Sequence, residues 1–315
     1  MRLAGDRRRF LRGLPAAAAL LAGWRAAAAA PLPVEEVAAG IFVHRGAHED
    51  FSPENRGGLC NIGFVVGARS VAVIDTGGSL AEGQDLLRAI RMRTDLPIAW
   101  VIATHVHPDH MLGHGAFVET GARFLGHRRL PAAVAAKGPL YLANMERLLG
   151  PAYAGTVLVP PEITVAEDAP MELDLGGRTL RLEAWPTAHT DTDLTVLDTA
   201  TGTLFAGDLL FMERLPVVDG SIKGWLGLMD RLAAIPAGHV VPGHGPPIAP
   251  WPAALAAERT YLEALATAVR AAIRRGASIA EAEQAVPLPD GQDWLQTETN
   301  HPRNVLASWR ELEWE

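Results

Sequence analysis

Short hydrophobic runs separated by glycine and asparagine dominate the first quarter of the chain. Residues 41–44, 62–66 and 71–75 are rich in valine, isoleucine and phenylalanine, a composition typical of β-strands. Ser79 and Glu82 follow with the spacing of a capping box, in which the two side chains satisfy early helix amides. Apolar residues then recur at helical spacing, so a helix is predicted to begin here.

The alternation of strands and helices continues through the rest of the chain. In chain order, we predict a strand at 98–102, a short helix at 113–120, a strand at 123–126, a helix at 131–150, strands at 179–185, 193–198 and 203–206, a helix at 225–232, a strand at 239–241 and a helix at 253–275. The tail, residues 278–315, is expected to be mostly helical. Two successive blocks of strands and helices predict an α/β sandwich of two similar halves.

Histidine and aspartate residues are grouped directly after the predicted strand at residues 98–102. Residues 104–110 read THVHPDH, which holds three imidazoles and one carboxylate, and further candidates lie in PTAHT, AGD and PGHG. Grouped imidazoles and carboxylates suit zinc or another divalent first-row metal. The candidate metal ligands are His105, His107, Asp109, His110, His189, Asp208 and His244.

Residues 1–30 have the organisation of an export signal. The segment DRRRFLR looks like a twin-arginine motif, an alanine-rich apolar run follows it, and small residues at 26–30 suit cleavage near Pro31. The apolar run is short for an uncleaved membrane anchor, which needs about 20 apolar residues. We therefore predict a cleaved signal peptide at 1–30, a domain at 31–315, a periplasmic location and no membrane attachment after cleavage.

Composition and charge narrow the class of partner. The 315 residues are 49% hydrophobic and 20% charged, which is typical of a globular protein with a large core. Residues 1–30 carry six arginines and one aspartate, so the total charge of −8 leaves −13 on residues 31–315. An acidic body argues against nucleic acid and anionic membranes as partners and favours a small-molecule substrate. An anionic substrate is expected to depend on the metal charge for attraction.

Two other side chains with potential chemistry are expected to be structural. Cys60 is the single cysteine, so it forms no internal disulfide, and it lies within a predicted strand, where small buried cysteines are common. His114 follows His110 by four residues and lies near the candidate ligands, but single histidines are usually structural or solvated.

The candidate ligands, together with Asp75, resemble the five motifs of the metallo-β-lactamase superfamily, in the same order and with similar spacing. The matching residues are Asp75; His105, His107, Asp109 and His110; His189; Asp208; and His244. The resemblance implies a four-layer αββα sandwich over residues 31–315, with a C-terminal helical extension. It also implies that His105, His107 and His189 bind one metal. Asp109, His110 and His244 would bind a second metal, and Asp208 would bridge both.

The number of ligands agrees with two metal ions. Seven protein ligands exceed the four or five that one zinc ion takes. Two ions about 3.5–4 Å apart that share a carboxylate and a water accommodate all seven. The expected cofactors are two zinc ions, with iron or mixed metals as alternatives. The resemblance implies that a metal-bridging hydroxide attacks a carbonyl group, and that Asp109 orients this hydroxide and accepts its proton.

Three residues beside the ligands are expected to hold them in place. Asp75 supports the ligand loop by hydrogen bonds in the superfamily, and Thr104 and Thr190 are direct neighbours of ligands. The loop after Asp208 is expected to line the substrate cleft with Phe211, Arg214, Lys223 and Trp225.

The identity of residue 208 favours a general hydrolase. Classical metallo-β-lactamases commonly have cysteine or serine at the position of Asp208, whereas Gly207-Asp208 resembles the pattern of glyoxalase II-like and lactonase-like hydrolases. Segments outside the ligands resemble the quinoprotein relay system zinc metallohydrolases, exported members linked with pyrroloquinoline quinone-dependent dehydrogenases. These segments are residues 42–49, 53–55, 188–195, 207–211 and 300–305.

The resulting prediction is an exported dinuclear zinc hydrolase of an ester, thioester or lactone, associated with a quinoprotein system. Three alternatives stay open. The first is β-lactam hydrolysis. The second is an iron-dependent sulfur dioxygenase that mainly uses the first metal site, and the third is an accessory protein that handles a metal or cofactor for a quinoprotein dehydrogenase.

Overall fold

Two β-sheets lie face to face in the computed structural model, which describes residues 31–289 and 293–315. The predicted signal peptide, residues 1–30, lies outside the described residues. The strands of the first sheet are β1 (Glu35–Ala38), β2 (Ile41–His44), β3 (Ile62–Val66), β4 (Val71–Ile74), β5 (Ile98–Ile102), β6 (Arg123–His127) and β7 (Ile163–Val165). Neighbours from β1 to β4 are antiparallel, and neighbours from β4 to β7 are parallel.

The second sheet is formed from the later part of the chain. Its strands are β8 (Met171–Asp174), β9 (Thr179–Ala184), β10 (Leu194–Asp198), β11 (Thr203–Phe211), β12 (His239–His244) and β13 (Ala249–Pro250). They are arranged in the order β13-β12-β11-β10-β9-β8. Only β11 and β12 run parallel to each other among these pairs.

Helices cover the outer faces of the sheets. They are α1 (Leu80–Arg91), α2 (Pro108–Met111), α3 (Leu130–Leu149), α4 (Ile222–Ala233), α5 (Leu255–Arg274), α6 (Ile279–Ala285) and α7 (Thr297–Leu312), with 3-10 helices at Leu112–Thr120 and Gly150–Tyr153. Among the described residues, no helix combines the length and the apolar character that a membrane crossing requires.

The main core lies between the sheets, where alternate strand residues from both sides are buried. Ile74 and Ile102 of the first sheet pack with Val196 and Phe205 of the second. Each such side chain contributes about 1.5–3 kcal/mol by its removal from water. Outer cores join α1 to the first sheet and join α4, α5 and α7 to the second. The predicted αββα sandwich is therefore confirmed.

Local boundaries follow the predicted pattern to within a few residues, and some of the differences have a clear physical reason. The predicted capping box is incomplete, because Ser79 Oγ accepts from the Glu82 amide whereas the Glu82 carboxylate accepts from Gly78. The helix predicted at 225–232 begins at Ile222, since Ser221 caps it. The strand predicted at 203–206 continues to Phe211.

Candidate metal centre

The seven predicted ligands lie at one end of the sandwich, where loops leave strands of both sheets. Four of them directly follow β5, in a turn that continues into the short helix α2. The other three come from the second sheet, in the loop after β9, within β11 and at the last residue of β12. The structure therefore brings together His105, His107, Asp109, His110, His189, Asp208 and His244.

Asp208 lies at the centre of this group. Its Oδ1 atom is 3.2 Å from His110 Nε2, and its Oδ2 atom is 3.3 Å from His189 Nε2. Oδ2 also lies 3.4 Å from His244 Nε2 and 3.7 Å from His105 Nε2. One buried carboxylate thus faces four imidazoles.

The donor atoms fall into two overlapping sets that could hold metal ions. In the first set, donor atoms of His105, His107, His189 and Asp208 lie within 4.8 Å of one another. The second set consists of His110, Asp208 and His244 at the same limit. Asp109 adjoins this second set, with its Oδ2 atom 3.5 Å from His244 Nε2. Asp208 belongs to both sets.

Backbone carbonyl groups fix the orientation of two of the imidazoles. His189 Nδ1 lies 2.7 Å from the Val217 carbonyl oxygen, and His244 Nδ1 lies 2.9 Å from that of Leu59. A carbonyl oxygen only accepts, so each Nδ1 carries the hydrogen. The Nε2 lone pair of each ring is consequently free to bind a metal, which is the usual arrangement in proteins.

Asp75 organises the ligand turn from beneath. Its carboxylate accepts hydrogen bonds from the Thr104 amide, from Thr104 Oγ1 and from His110 Nδ1, each at 2.8 Å. Asp75 itself has a φ of 55°, in the left-handed region that favours glycine. Gly207 lies against Thr104, and a Cβ atom at this glycine would be 2.7 Å from Thr104 Cβ. This crowding requires glycine before Asp208.

Thr190 braces the loop that carries His189 and, among the described residues, makes no hydrogen bond to a ligand side chain. Its amide and hydroxyl donate to the Asp193 carboxylate, at distances of 2.6–3.1 Å. Burial raises the pKa of Asp193 to about 7. Asp193 was not among the predicted site residues, although it lies four positions from His189.

Two residues that were not predicted from the sequence support His107: Asp219 contacts its ring, and Lys137 contacts Asp219. His107 Nδ1 faces His189 Nε2 at 3.0 Å, and His107 Nε2 lies 3.2 Å from Asp219 Oδ2. Lys137 Nζ lies 3.0 Å from the same oxygen. Burial alone would raise the pKa of Asp219, but the contacts with His107 and Lys137 outweigh it and hold that pKa below its usual range.

Unpaired buried atoms test whether a metal fits these residues. His105 Nε2, His110 Nε2 and Asp208 Oδ1 are shielded from solvent and make no hydrogen bond within the described residues. Buried polar atoms are normally paired, so three such atoms drawn from the two donor sets around Asp208 indicate that these sets bind cations. Divalent metals of the kind that bind nitrogen and oxygen donors would satisfy these three atoms.

Burial keeps His105 and His189 in the protonation state that metal binding needs. It lowers the pKa of His105 well below the ordinary value and that of His189 to about 3, which keeps both rings neutral. Burial alone would raise the pKa of Asp208, but the imidazoles of His244 and His110 outweigh it and hold that pKa well below the usual range. Neutral imidazole and ionised carboxylate are the forms that bind metals.

Cys60 and His114 are both buried beside the site. Cys60 Sγ donates to the Asp109 carbonyl oxygen at 2.9 Å, and burial raises its pKa well above the ordinary value. The thiol also lies within 4.8 Å of the donor atoms of Asp109 and His110. His114 Nδ1 lies 2.9 Å from Thr76 Oγ1, and burial lowers its pKa to about 3. These contacts fix the two side chains from beneath the ligand turn.

A cavity of about 580 Å³ opens onto the donor atoms. Of the predicted cleft residues, Phe211 and Arg214 line it, whereas Lys223 and Trp225 do not. The cleft prediction was wrong for these two because helix α4 turns them away. Lys223 points toward Glu315, with 3.8 Å between Nζ and Oε1, and Trp225 is buried against the rear of the His189 ring.

Comparisons with known proteins agree with this architecture. A family model described as the metallo-beta-lactamase superfamily matches residues 55–244. The match spans more than half of the chain and includes every candidate ligand. The chain belongs to the metallo-beta-lactamase superfamily. No curated protein is a significant match to the chain.

Solved structures of similar fold include two metallo-beta-lactamases and an alkyl sulfatase. A metallo-beta-lactamase from Pontibacter korlensis has a TM-score of 0.60 and 20% identity, over 74% of this chain and 99% of that one. The enzyme FIM-1 from Pseudomonas aeruginosa, in a mono-zinc form, has a TM-score of 0.58 and 19% identity, over 74% and 95%. The sec-alkyl sulfatase PisA1 has a TM-score of 0.69 and 16% identity, over 90% of this chain and 51% of that one.

Proposed function

We propose that this protein is an exported dinuclear zinc hydrolase that attacks the carbonyl carbon of an ester, thioester or lactone and breaks its acyl–oxygen or acyl–sulfur bond. The observation that carries the proposal is the position of Asp208, one buried carboxylate shared by two sets of metal donors. Superfamily membership supports hydrolysis as the class of reaction. Nitrogen and oxygen donors in this number support zinc, because two ions are needed to use them all.

Each part of the centre has a distinct task under this proposal. His105, His107 and His189 would hold one metal, His110 and His244 would hold the other with Asp109, and Asp208 would be a ligand shared by both. When bound, such a pair lowers the pKa of water and polarises a carbonyl oxygen. Asp109 and Asp208 both line the cavity, but four imidazoles surround Asp208, so Asp109 is assigned as the protein's proton acceptor.

Export and association with a quinoprotein system belong to the same proposal. The arginine-rich segment of residues 6–12 supports export, and the residue patterns of segments such as 42–49 and 300–305 support the association. In the segment 300–305, Asn300 and Asn304 donate hydrogen bonds to the carbonyl groups of Leu215 and Pro216. The same loop contacts His189 through the Val217 carbonyl, so this segment supports the candidate site.

Hydrolysis of a substrate panel by the zinc-loaded protein tests the proposed reaction. The panel contains a thioester, a lactone, an aryl ester, a β-lactam and an alkyl sulfate; the last is included because PisA1 is a sec-alkyl sulfatase. We expect turnover of at least one of the thioester, the lactone and the aryl ester. Asp109→Asn should lower kcat by at least about 100-fold, since general base catalysis contributes on the order of 10²–10⁴. Asp168→Asn, an exposed control, should leave kcat unchanged.

Other results of the same experiment would favour the alternatives. Iron at one equivalent with oxygen uptake would favour a sulfur dioxygenase, and turnover of the β-lactam alone would favour an antibiotic-hydrolysing enzyme. If no panel member is hydrolysed while the protein co-purifies with a dehydrogenase, an accessory role replaces the enzyme. Full activity of Asp109→Asn would contradict the role assigned to that carboxylate.

A further inference from the structure

Three arginines line the cavity beside the metal donors. Arg147 comes from α3, Arg214 from the segment after β11, and Arg303 from α7. The chain as a whole has a net charge of −8, so a concentration of guanidinium groups in this one cavity runs against its overall charge. Asp50 is the one lining carboxylate outside the metal donors. The side-chain charge of the cavity away from the metal centre is therefore positive.

Arg214 differs from partly buried, ion-paired arginines such as Arg178 and Arg129 because two of its guanidinium nitrogens are shielded from solvent and have no hydrogen-bond partner among the described residues. Arg178 lies 2.8 Å from Asp198, and Arg129 lies 2.6 Å from Glu167. In contrast, the Nε and Nη1 atoms of Arg214 make no hydrogen bond within residues 31–289 and 293–315. An unpaired guanidinium in such a place costs stability, so it points to a ligand that supplies the missing acceptors.

The backbone around Arg214 is fixed on both sides. The preceding residue, Glu213, has a φ of 63°, and its carboxylate is held by Arg45 at 2.5 Å and by His48 at 3.0 Å. Its carbonyl accepts from the Leu295 amide at 2.7 Å, and the Leu215 amide donates to the Leu295 carbonyl at 3.0 Å. A strained backbone that is held this firmly is typical of a functional site.

The remaining cavity wall is largely apolar and aromatic. Phe51, Tyr141, Met145, Leu148 and Phe211 line it. A volume of about 580 Å³ is within the range of small-molecule sites. The cavity therefore offers a metal centre, an apolar wall and a cationic group, which together suit an amphiphilic molecule of modest size.

We propose that the substrate carries an oxyanion, such as a carboxylate or a sulfonate-like group, separate from the bond that is cleaved. Arg214 binds this group in the interior of the cavity, while the exposed Arg147 and Arg303 add positive potential around it. Guanidinium is suited to this task because its planar fork pairs with two oxyanion oxygens at once. The inference rests on the proposed hydrolase function and corrects the expectation that an anionic substrate depends on metal charge alone.

Matched thiol ligands test this inference by binding rather than by turnover. Phenylmethanethiol, 4-(mercaptomethyl)benzoate and the corresponding sulfonate are titrated calorimetrically into zinc-loaded protein, because each thiolate is anchored on the metal. At least one anionic ligand should bind about tenfold more tightly than the neutral thiol, the range expected for hydrogen bonds to a charged group. Arg214→Met should abolish this difference, and Arg214→Lys should restore it in part.

Control variants separate charge from folding. Arg310→Met changes an exposed arginine of α7 outside the cavity and should preserve the full tenfold difference. Arg303→Met, on the same helix, should reduce the difference two- to threefold, and its exposed position makes it a safe second variant if Arg214→Met does not fold.

The outcomes distinguish failure of the inference from failure of the proposed function. If the neutral thiol binds and neither anionic group tightens binding, or if Arg214→Met keeps the difference, the anion site is wrong and the metal centre stands. If zinc is not retained and no thiol binds, the proposed hydrolase function fails, and the inference fails with it.

Discussion

At the scale of single residues, the centre depends on where each ring hydrogen is placed. Carbonyl oxygens fix the hydrogen on Nδ1 of His189 and His244, and the Asp75 carboxylate does the same for His110. Each contact leaves Nε2 as a donor toward the metal position. Support of this kind typically contributes 10- to 100-fold to metal affinity.

Replacement of Asp75 tests this support at His110. Asp75→Asn keeps the shape of the side chain but replaces one acceptor oxygen with an amide nitrogen, so the side chain cannot accept from both the Thr104 amide and His110 Nδ1. We expect zinc affinity at the second position to fall about 10- to 100-fold, as measured by competition with a chelator. Asp95→Asn, an exposed change of the same kind, should have no effect. Equal affinities for the two variants would contradict the role of Asp75.

Glu82 provides a prediction about pH. Burial raises its pKa from 4.5 to about 8. The folded state thus binds a proton more tightly than the unfolded state, so this group's contribution to stability falls as pH rises from about 4.5 to 8. Glu82→Gln removes the titration. The unfolding free energy of Glu82→Gln minus that of wild type should therefore increase across this range, by about 1.4 kcal/mol for each pH unit.

Urea unfolding at pH 5 and pH 8 measures this difference. The exposed control Glu263→Gln should show no change in its difference from wild type between the two pH values. If the unfolding free energy of Glu82→Gln minus that of wild type decreases as the pH rises, the pKa of the buried Glu82 carboxyl is not raised.

At the scale of elements, helix α7 controls the site without supplying a ligand. Asn304 accepts from the Val218 amide at 2.9 Å and donates to the Pro216 carbonyl at 2.6 Å. Asn300 donates to the Leu215 carbonyl at 3.1 Å. The loop held in this way presents the Val217 carbonyl to His189 and continues to Asp219, the partner of His107.

Asn304→Ala should therefore weaken metal binding by the donor set that contains His107 and His189. We expect zinc affinity at that position to fall about tenfold or more and the unfolding free energy of the metal-free protein to fall by about 1–3 kcal/mol. The control Glu298→Ala changes an exposed residue of the same helix and should alter neither quantity. Loss of stability without loss of affinity would limit α7 to a packing role.

The predicted strands and helices agree with the structure where the local pattern of apolar and polar residues determines the element. Strand β11 was predicted too short, because Gly207 with a φ of 53° and the polar Asp208 interrupt its apolar run while the pairing with β12 continues to Phe211. Asp219 and Lys137 were missed for a different reason. They meet across 82 positions of sequence, so only the tertiary fold places them together behind His107.

At the scale of the whole molecule, the ligands join the two halves of the sandwich. His105, His107, Asp109 and His110 follow a strand of the first sheet, whereas His189, Asp208 and His244 come from the second. A metal centre therefore requires both halves to be folded. A folded, metal-loaded protein suits the twin-arginine pathway, which the residue pattern at 6–12 predicts.

Export is tested with variants that preserve charge. We expect the combined change of Arg7, Arg8 and Arg9 to lysine to retain the protein, with its signal uncleaved, in the cytoplasmic fraction. Wild type and a control with Arg2 and Arg25 changed to lysine should be recovered from the periplasm at the smaller, cleaved size. Equal periplasmic recovery of all three proteins would contradict the twin-arginine assignment.

Metal stoichiometry tests the dinuclear centre most directly. Elemental analysis of protein loaded with zinc and then freed of excess metal should give two equivalents for wild type, and Asp208→Ala should retain less than one. Wild type that holds one equivalent or none at saturation, or an Asp208→Ala variant that still holds two, would contradict a centre built around a shared carboxylate.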